Sequence, residues 1–472
     1  MSLIQGLFIL ILNPICRAIT RVKETTRNSF IFFSCTGIVI FFVLFFSTSM
    51  KPILKKELTM DSRICTIMIL VIILFSLKKE VERVKWNPPF FYLFFVSGAG
   101  ILITGFLHPI GRGYMDWGFL MMTVFPCLYF VWNNRCDYDV LYKRLSAGTI
   151  LVGTIYYAYC FYLSNKGRLV IVGDRMRGTF YDANMFSMIG MIMVSCSVYM
   201  LLVNRSSKAW FLLTAIGFGI GNSITLLGQS RLSILSNIGS IAALIIFYMK
   251  TKEDYEKNEK KIKRFVRAEL LLLSLVLFVM IGNLMVSLNN RAMEDNNSAT
   301  VASTVTIPVT ADKAINTSDT ILLSGGPLDR FIPKGNSLNS YTAGRYNIWK
   351  NYARHLNMLG NDFSKADWME LTGKTVKHAH NNFLEIGYRC GVPVAIAHTL
   401  LELLAGIVCI VYLFSRRFRS PYHLFCIVFM ITYTIQSLFD IATIPFERPA
   451  PFFFYMALIP LFGRTKQIHT KR

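Results

Sequence analysis

Charged side chains are scarce in this sequence, where Asp, Glu, Lys and Arg together make up 16% of 472 residues. A soluble globular domain usually carries about 25%. Hydrophobic residues reach 53%, and apolar runs of about 16 to 21 residues recur along the chain, close to the ~20 that cross a bilayer as a helix. The composition therefore excludes an ordinary soluble enzyme and predicts an all-α polytopic membrane protein.

Other features are absent as well. No Gly-rich phosphate loop of the P-loop or dinucleotide type occurs, so nothing supports nucleotide-driven transport. The longest polar segment, 289–379, contains no cysteine, which argues against a disulfide-built ectodomain. The apolar stretch 1–16 precedes a basic cluster instead of following one, unlike a cleavable signal peptide. It is interpreted as an interfacial helix, with a short extra span as the alternative.

About a dozen apolar segments are predicted to span the membrane. Residues 1–288 would hold the first nine helices, 289–379 one long extracytoplasmic loop, and 380–472 a motif helix with the last three spans. The first half of the loop is rich in Ser, Thr and Asn and is expected to be flexible. The predicted spans are 29–47, 64–77, 90–107, 117–132, 147–163, 184–203, 209–227, 232–249, 270–288, 392–414, 424–444 and 452–461.

Basic residues predict the orientation. The formal net charge is +23, but Lys and Arg are enriched in short cytoplasmic loops of membrane proteins, so this charge does not indicate a nucleic-acid partner. The stretch KTKEDYEKNEKKIKRFVR at 250–267 and the arginine cluster at 416–419 are therefore placed inside. Both termini are then cytoplasmic and 289–379 is outside. One predicted outer loop does not follow this charge rule, because it carries Lys51, Lys55, Lys56 and Arg63.

Arginines on the predicted outer side oppose this charge bias. Arg175 and Arg177 lie in GDRMRGTFYDAN before the sixth span, and Arg231 lies in GQSRLS on a tight outer turn. Arg345 begins an amphipathic, aromatic-rich stretch in YTAGRYNIWKNYARH. A headgroup anchor or a surface salt bridge would explain any one of them. Several on one side favour anion binding.

The segment HAHNNFLEIGYRCGVP, residues 378–393, leads directly into the tenth span. Asn382 with Glu385 matches a capping-box pattern, and helix capping is their simplest role. His380 then lies just ahead of a helix amino terminus, which favours a bound anion, and is a plausible proton acceptor there. A metal site on His378 and His380 is not predicted, because no Cys, Asp or Glu cluster adjoins them.

These motifs resemble the O-antigen ligase and O-antigen or capsular polysaccharide polymerase family. The resemblance covers about the last two-thirds of the chain and lies on one predicted side of the membrane. In the His-Asn…Gly motif, Val394 stands where a second glycine is often found. The matching residues are His380, Asn381 and Gly391; Arg177, Phe180 and Asn184; Ser230 and Arg231; and Gly344 and Arg345.

The resemblance implies a GT-C-like glycosyltransferase in the bacterial cytoplasmic membrane, with its site on the extracytoplasmic face. Its donor would be a glycan on undecaprenyl pyrophosphate, and its acceptor a glycan or lipid A–core. His380 would be the catalytic base, and Arg177, Arg231 and Arg345, with Arg175 and Asn381, would bind the pyrophosphate. Asn382, Glu385 and Gly391 would be structural. Metal independence, no cofactor, contact with membrane lipids and a chain-length regulator as partner are also implied.

Alternatives stay open within and outside this family. A polymerase is favoured slightly over a ligase, because each polymer needs its own linkage-specific enzyme. A polysaccharide transporter or lipid flippase would also have many spans, and Asp440 with Gln436 is its main polar candidate in a late span. The third alternative is a non-catalytic assembly protein whose long loop docks a partner.

Overall fold

A computed structural model describes most of the chain, and the description below concerns those residues. They are 1–47, 61–108, 110, 112–172, 175–180, 182–203, 207–256, 261–303, 342, 345–362 and 378–463. The predicted flexible half of the long loop lies largely outside the described residues, as do Lys51, Lys55 and Lys56.

The described chain is mostly helical. Its amino-terminal half contains α1 (Ser2–Ile19), α2 (Glu24–Phe46), α3 (Asp61–Phe75), α4 (Pro88–Leu107), α5 (Arg112–Met122), α6 (Val124–Arg135), α7 (Tyr138–Ser164), β1 (Val170–Val172), β2 (Arg175–Gly178), α8 (Ala183–Val203) and α9 (Lys208–Gly228). It continues with α10 (Arg231–Glu256), α11 (Lys261–Ser303), α12 (Arg345–Arg354), α13 (Asn382–Cys390), α14 (Val392–Phe414), α15 (Pro421–Phe439), α16 (Pro449–Ala457) and α17 (Ile459–Phe462).

These helices make the chain a multi-pass membrane protein. Within the described residues, ten helical segments are long and apolar enough to cross a bilayer, and two shorter apolar helices accompany them. Each predicted span falls on a helix, although α7 is not among the ten. The predicted number of spans therefore stays a prediction. The amino-terminal helix α1 counts among the ten by length and hydropathy.

Whether α1 is interfacial or a short extra span stays a prediction, and its contacts are as follows. Gln5 exchanges hydrogen bonds with the backbone of Val84, and Asn13 does so with Val81. The helix lies alongside the connection between α3 and α4, and it also contacts predicted spans, since the Phe8 ring lies 5.6 Å from the Phe130 ring of α6. Its opposite face leaves Leu3 exposed, as expected for a helix whose apolar face meets the lipid interface.

Three predicted spans are interrupted or shortened, and one of them is 452–461, because α16 ends at Ala457 and α17 begins at Ile459. The span 117–132 breaks at Thr123, between α5 and α6, just ahead of Pro126, which has no N–H to continue the helical ladder. The span 424–444 is too long as predicted, because α15 ends at Phe439 and Asp440 has an extended backbone. Asp440 therefore lies past the helix end, not inside a span.

The predicted outer loops hold more structure than expected. A short antiparallel strand pair, β1 with β2, precedes α8 in an otherwise helical structure. The helix predicted to end at residue 288 continues to Ser303. Buried Asn289 anchors this extension, since its side chain accepts from Leu169 N at 2.9 Å and donates to Leu169 O at 3.2 Å. The boundary between the predicted regions 1–288 and 289–379 therefore lies within a helix.

Helices α8, α10 and α15 pack against one another. Ser195 Oγ of α8 lies 3.2 Å from Thr432 Oγ1 of α15, and Gln436 Nε2 contacts Met191 Sδ at 3.5 Å. Residue number falls along α8 as it rises along α15, so the two helices are antiparallel. The start of α8 therefore lies at the same end of the bundle as Asp440.

The start of α10 lies at this end too. Arg175 donates to Gly228 O, at the end of α9, at 3.0 Å and to Asn184 Oδ1, in the first turn of α8, at 2.6 Å. Helix α10 begins at Arg231, directly after the tight turn that follows Gly228. This end of the bundle, marked by Asn184, Gly228, Arg231 and Asp440, is called the arginine end below.

Candidate active site at the arginine end

His380 has an unusual backbone conformation. Its φ is +53°, in the left-handed region that residues with a Cβ rarely occupy. Just before it, the Ala379 N–H donates to Glu385 Oε2 at 2.8 Å. Strained residues persist where the surroundings hold them, and they concentrate at functional sites. The hydrogen bond from the Ala379 N–H to Glu385 restrains the backbone next to His380, and so restrains the direction of the imidazole.

The amino terminus of α13 is capped one residue earlier than predicted. The side chain of Asn381 accepts from Leu384 N at 3.1 Å, so Asn381 is the N-cap and the capping box proposed for Asn382 and Glu385 is wrong. Asn381 also donates to Leu438 O at 3.1 Å. Buried Asn382 instead bonds both the N–H and the C=O of Ala442. These amides join the start of α13 to the segment after α15.

Asp440 lies against the imidazole. His380 Nδ1 is 3.3 Å from Asp440 Oδ1, and Arg448 Nη1 donates to Asp440 Oδ2 at 2.8 Å. Burial alone would raise the pKa of Asp440, but the Arg448 guanidinium and the His380 hydrogen bond hold this pKa well below its usual value. Asp440 is therefore a carboxylate, and His380 is both oriented by it and 21% exposed.

His378 lies beside His380 with ring centroids 4.2 Å apart. Its Nδ1 is buried and has no hydrogen-bond partner among the described residues. Burial, together with the charges of His380 and Arg448, lowers the pKa of His378 to about 4. His378 is thus a neutral imidazole near pH 7.

Arg345 approaches the same carboxylate from the predicted amphipathic helix, which exists as α12. Trp349 contacts Phe439 with ring centroids 6.3 Å apart, so α12 lies over the end of α15. Buried Tyr352 contacts Tyr388 of α13 at 5.1 Å. Desolvation lowers the pKa of Arg345, and the charge of Asp440 opposes that shift. Arg345 therefore belongs to the His380 group.

The remaining predicted arginines lie at the arginine end on other elements. Arg175 and Arg177 share one face of β2, alternating with buried Met176 and Gly178. Arg175 connects the strand pair to α8 and α9 through its bonds to Asn184 and Gly228 O. Arg231 begins α10 and is half-buried.

Gly391 closes the motif for a steric reason. Its φ is +92°, and a Cβ there would meet the carbonyl of Met358. Gly360, with φ +84°, faces the Arg389 carbonyl in the same way. Val392 N donates to Asn357 O at 2.9 Å. The segment after α12 therefore packs backbone to backbone onto the junction of α13 and α14, where a side chain at residue 391 would not fit.

A second ion pair lies deeper in α13. Arg389 Nε bonds Glu385 Oε1, and Tyr114 OH donates to the same oxygen at 3.4 Å. Burial alone would lower the pKa of Arg389, but Glu385 outweighs it and raises this pKa. The Arg389 guanidinium also lies 5.2 Å from the Tyr114 ring centroid. This pair connects α13 to α5.

Sequence reasoning missed Asp440 and Arg448 as site residues. Asp440 was noticed, but as a polar group within a span, and its contact with His380 crosses 60 residues. A metal site was not predicted because no acidic residue adjoins the two histidines in the sequence. Asp440 supplies one in the fold, since His378, His380 and Asp440 offer ligand atoms within 4.8 Å of one another. The signal available was the charged pattern DIATIPFERP after a late apolar run.

One buried pair inside α14 was also missed. His398 Nε2 lies 3.2 Å from Glu402 Oε1 and 3.0 Å from Tyr433 OH, and Tyr433 OH in turn accepts from Asn382 at 3.3 Å. The spacing of His398 and Glu402 places both on one helix face, so the pair could have been found from the sequence.

No protein-family model matches the chain, and no curated protein matches it either. What the chain does is therefore inferred from its own side chains. At the arginine end these are a carboxylate-oriented imidazole and several guanidinium groups, a combination suited to removing a proton beside an anionic leaving group.

Proposed function

We propose that this protein is a membrane glycosyltransferase that polymerises undecaprenyl-pyrophosphate-linked oligosaccharide repeat units on the outer face of the cytoplasmic membrane. One observation carries the proposal: His380, held by Asp440, lies at the same end of the bundle as Arg175, Arg177, Arg231 and Arg345. The family resemblance of these motifs adds the substrate class.

His380 would act as the base. If Nδ1–H donates to Asp440, the Nε2 lone pair is left to accept the proton of the acceptor hydroxyl. That hydroxyl oxygen attacks the anomeric carbon of the donor, and the bond to the diphosphate oxygen breaks with its electron pair. Asp440 stabilises the imidazolium that forms, as the carboxylate of a catalytic triad does.

Arg177, Arg231 and Arg345 would bind the departing diphosphate. Negative charge grows on this leaving group in the transition state, and guanidinium groups already in place stabilise it without reorganising. The desolvation of Arg345 strengthens its electrostatic interactions. Arg448, bonded to Asp440, adds positive charge to the same region.

The test is reconstitution. Purified protein is incubated with a lipid-pyrophosphate oligosaccharide, with and without a chelator, and the products are sized. A ladder of chain lengths is expected in both conditions. If only added lipid A–core becomes glycosylated, the protein is instead a ligase using the same chemistry, and absence of transfer to any acceptor would refute the enzyme.

Transport is the second candidate, and the His398 and Glu402 pair is the observation that favours it. Ionisable residues inside spans are costly and often mark transport paths. Here, however, both side chains bond to Tyr433 or Ser437 of the neighbouring helix, which suits helix packing. Lipid-linked glycan scrambling in proteoliposomes that vanishes in a His398→Phe variant, with no transfer product, would favour transport.

A further inference from the structure

We propose that His378, His380 and Asp440 form a binding site for one transition-metal ion of the Zn²⁺ class, and that the bound ion switches glycosyl transfer off. The binding stands on the geometry alone. The inhibition rests on the proposed function, because it requires His380 to be the base.

The donor atoms have the spacing of a metal site. All three residues offer ligand atoms within 4.8 Å of one another, and the closest pair, His380 Nδ1 and Asp440 Oδ1, is 3.3 Å apart. With metal–ligand bonds of about 2.0–2.1 Å, the ligands of a tetrahedral zinc ion lie roughly 3.3 Å from one another. The widest of these separations, at most 4.8 Å, would have to shorten toward 3.3 Å on binding.

The chemistry of the donors selects the ion. Two imidazoles and one carboxylate suit Zn²⁺ and its neighbours, whereas Mg²⁺ and Ca²⁺ prefer sites built from oxygen. Three protein ligands leave one position open, as in non-structural zinc sites. His378 Nδ1 is buried and has no hydrogen-bond partner among the described residues. A metal ion bound at this atom would give it a partner.

Arg448 supports the carboxylate as a ligand. It holds Asp440 Oδ2 at 2.8 Å and so leaves Oδ1 directed at His380. Carboxylate ligands of metals are commonly hydrogen-bonded through their other oxygen in this way. The positive charge of Arg448 also weakens the affinity of the site for a cation. A weakened affinity suits reversible metal binding more than a permanent structural metal.

Metal binding and base catalysis exclude each other at His380. A neutral imidazole has one N–H and one lone pair. When Nδ1–H donates to Asp440, the Nε2 lone pair is available as a base. When Nδ1 binds a metal, it does so through its own lone pair, and the proton resides on Nε2. The ring then has no lone pair left to accept a proton from the acceptor hydroxyl.

Binding is tested directly on the purified, chelator-treated protein in nanodiscs. Zn²⁺ binding is measured by equilibrium dialysis, and Co²⁺ is added in parallel for its absorption bands. The wild type and the control His355→Phe are expected to bind one ion. His355 is a suitable control because it is exposed on the same predicted outer side and its Nδ1 contacts only Asn351 O in the described chain.

The decisive variant is His378→Phe, which keeps a ring against His380 but removes one ligand. Its affinity for Zn²⁺ is expected to fall at least about tenfold. Equal Zn²⁺ binding by this variant and the wild type, or no stoichiometric binding by the wild type, would overturn the site.

Inhibition is tested in the transfer assay. Zn²⁺ is expected to inhibit the wild type and His355→Phe, chelator to restore both, and His378→Phe to turn over without Zn²⁺ sensitivity. Turnover of the wild type that Zn²⁺ does not affect would refute the inhibition. Absence of metal-free turnover would refute the proposed function instead, while the dialysis result would still decide the metal site.

Discussion

Two carboxylate–arginine pairs contact residues 379 and 380, and they differ in exposure. In the first, Asp440 and Arg448 have side chains 7% and 17% exposed, and the carboxylate faces the imidazole. In the second, Glu385 is 1% exposed and bonds Arg389 and a backbone N–H. The first pair bonds the imidazole of His380, whereas the second bonds the backbone N–H of Ala379 just before it. Changes to the first should therefore alter activity, and changes to the second should alter folding.

The largest expected effect is that of His380→Ala. Loss of a general base should lower the transfer rate about 10²–10⁴-fold, with the amount of folded protein in the membrane unchanged. Product sizing after reconstitution measures the rate, and detergent-solubilised gel filtration checks the fold. Wild-type polymer length and yield from a well-folded variant would show that His380 is not catalytic.

Glu385→Ala should act on stability. It leaves the Arg389 guanidinium buried without its carboxylate, which costs about 3–5 kcal/mol. A strongly lowered melting temperature and reduced membrane yield are expected. The matched control is Glu80→Ala, which breaks the exposed pair with Arg17 and should change stability by less than about 1 kcal/mol. If Glu385→Ala melted like the wild type, the assigned holding role would be wrong.

Arg177→Ala and Arg231→Ala should each reduce transfer about 10²–10³-fold if they stabilise the leaving diphosphate. Both proteins are expected to reach the membrane in normal amounts. The loss should appear in kcat more than in KM, because the charge develops in the transition state. Wild-type rates in both variants would remove these two arginines from the site.

Asp440→Asn should lower the transfer rate at least about tenfold, because the amide cannot stabilise the imidazolium. The amount of folded protein in the membrane should stay unchanged, which gel filtration checks. A wild-type transfer rate would show that Asp440 does not support His380.

The sequence predicted features that depend on local pattern. Apolar periodicity located the spans, and aromatic spacing located α12, because both are properties of a single helix. His380 and Gly391 were predicted from one short motif. Asp440 and Arg448 could not be assigned in this way, because their contact with His380 depends on how α13 and α15 pack.

Errors at element ends have a similar origin. The N-cap of α13 was misplaced because consecutive asparagines, Asn381 and Asn382, are equally good caps by type, and tertiary hydrogen bonds to Ala442 decide between them. The helix past residue 288 was missed because the polar stretch there is anchored by Leu169, far away in the chain.

Cysteine labelling tests the central requirement most directly: that the imidazole and the arginines share the outer face. Arg231→Cys and Met358→Cys, in a Cys136→Ser background that removes the exposed native thiol, are treated with a membrane-impermeant maleimide on intact spheroplasts, with Arg417→Cys as the inner control. Labelling of the first two but not the third is predicted. Labelling of residues 231 and 358 from opposite sides would contradict the account.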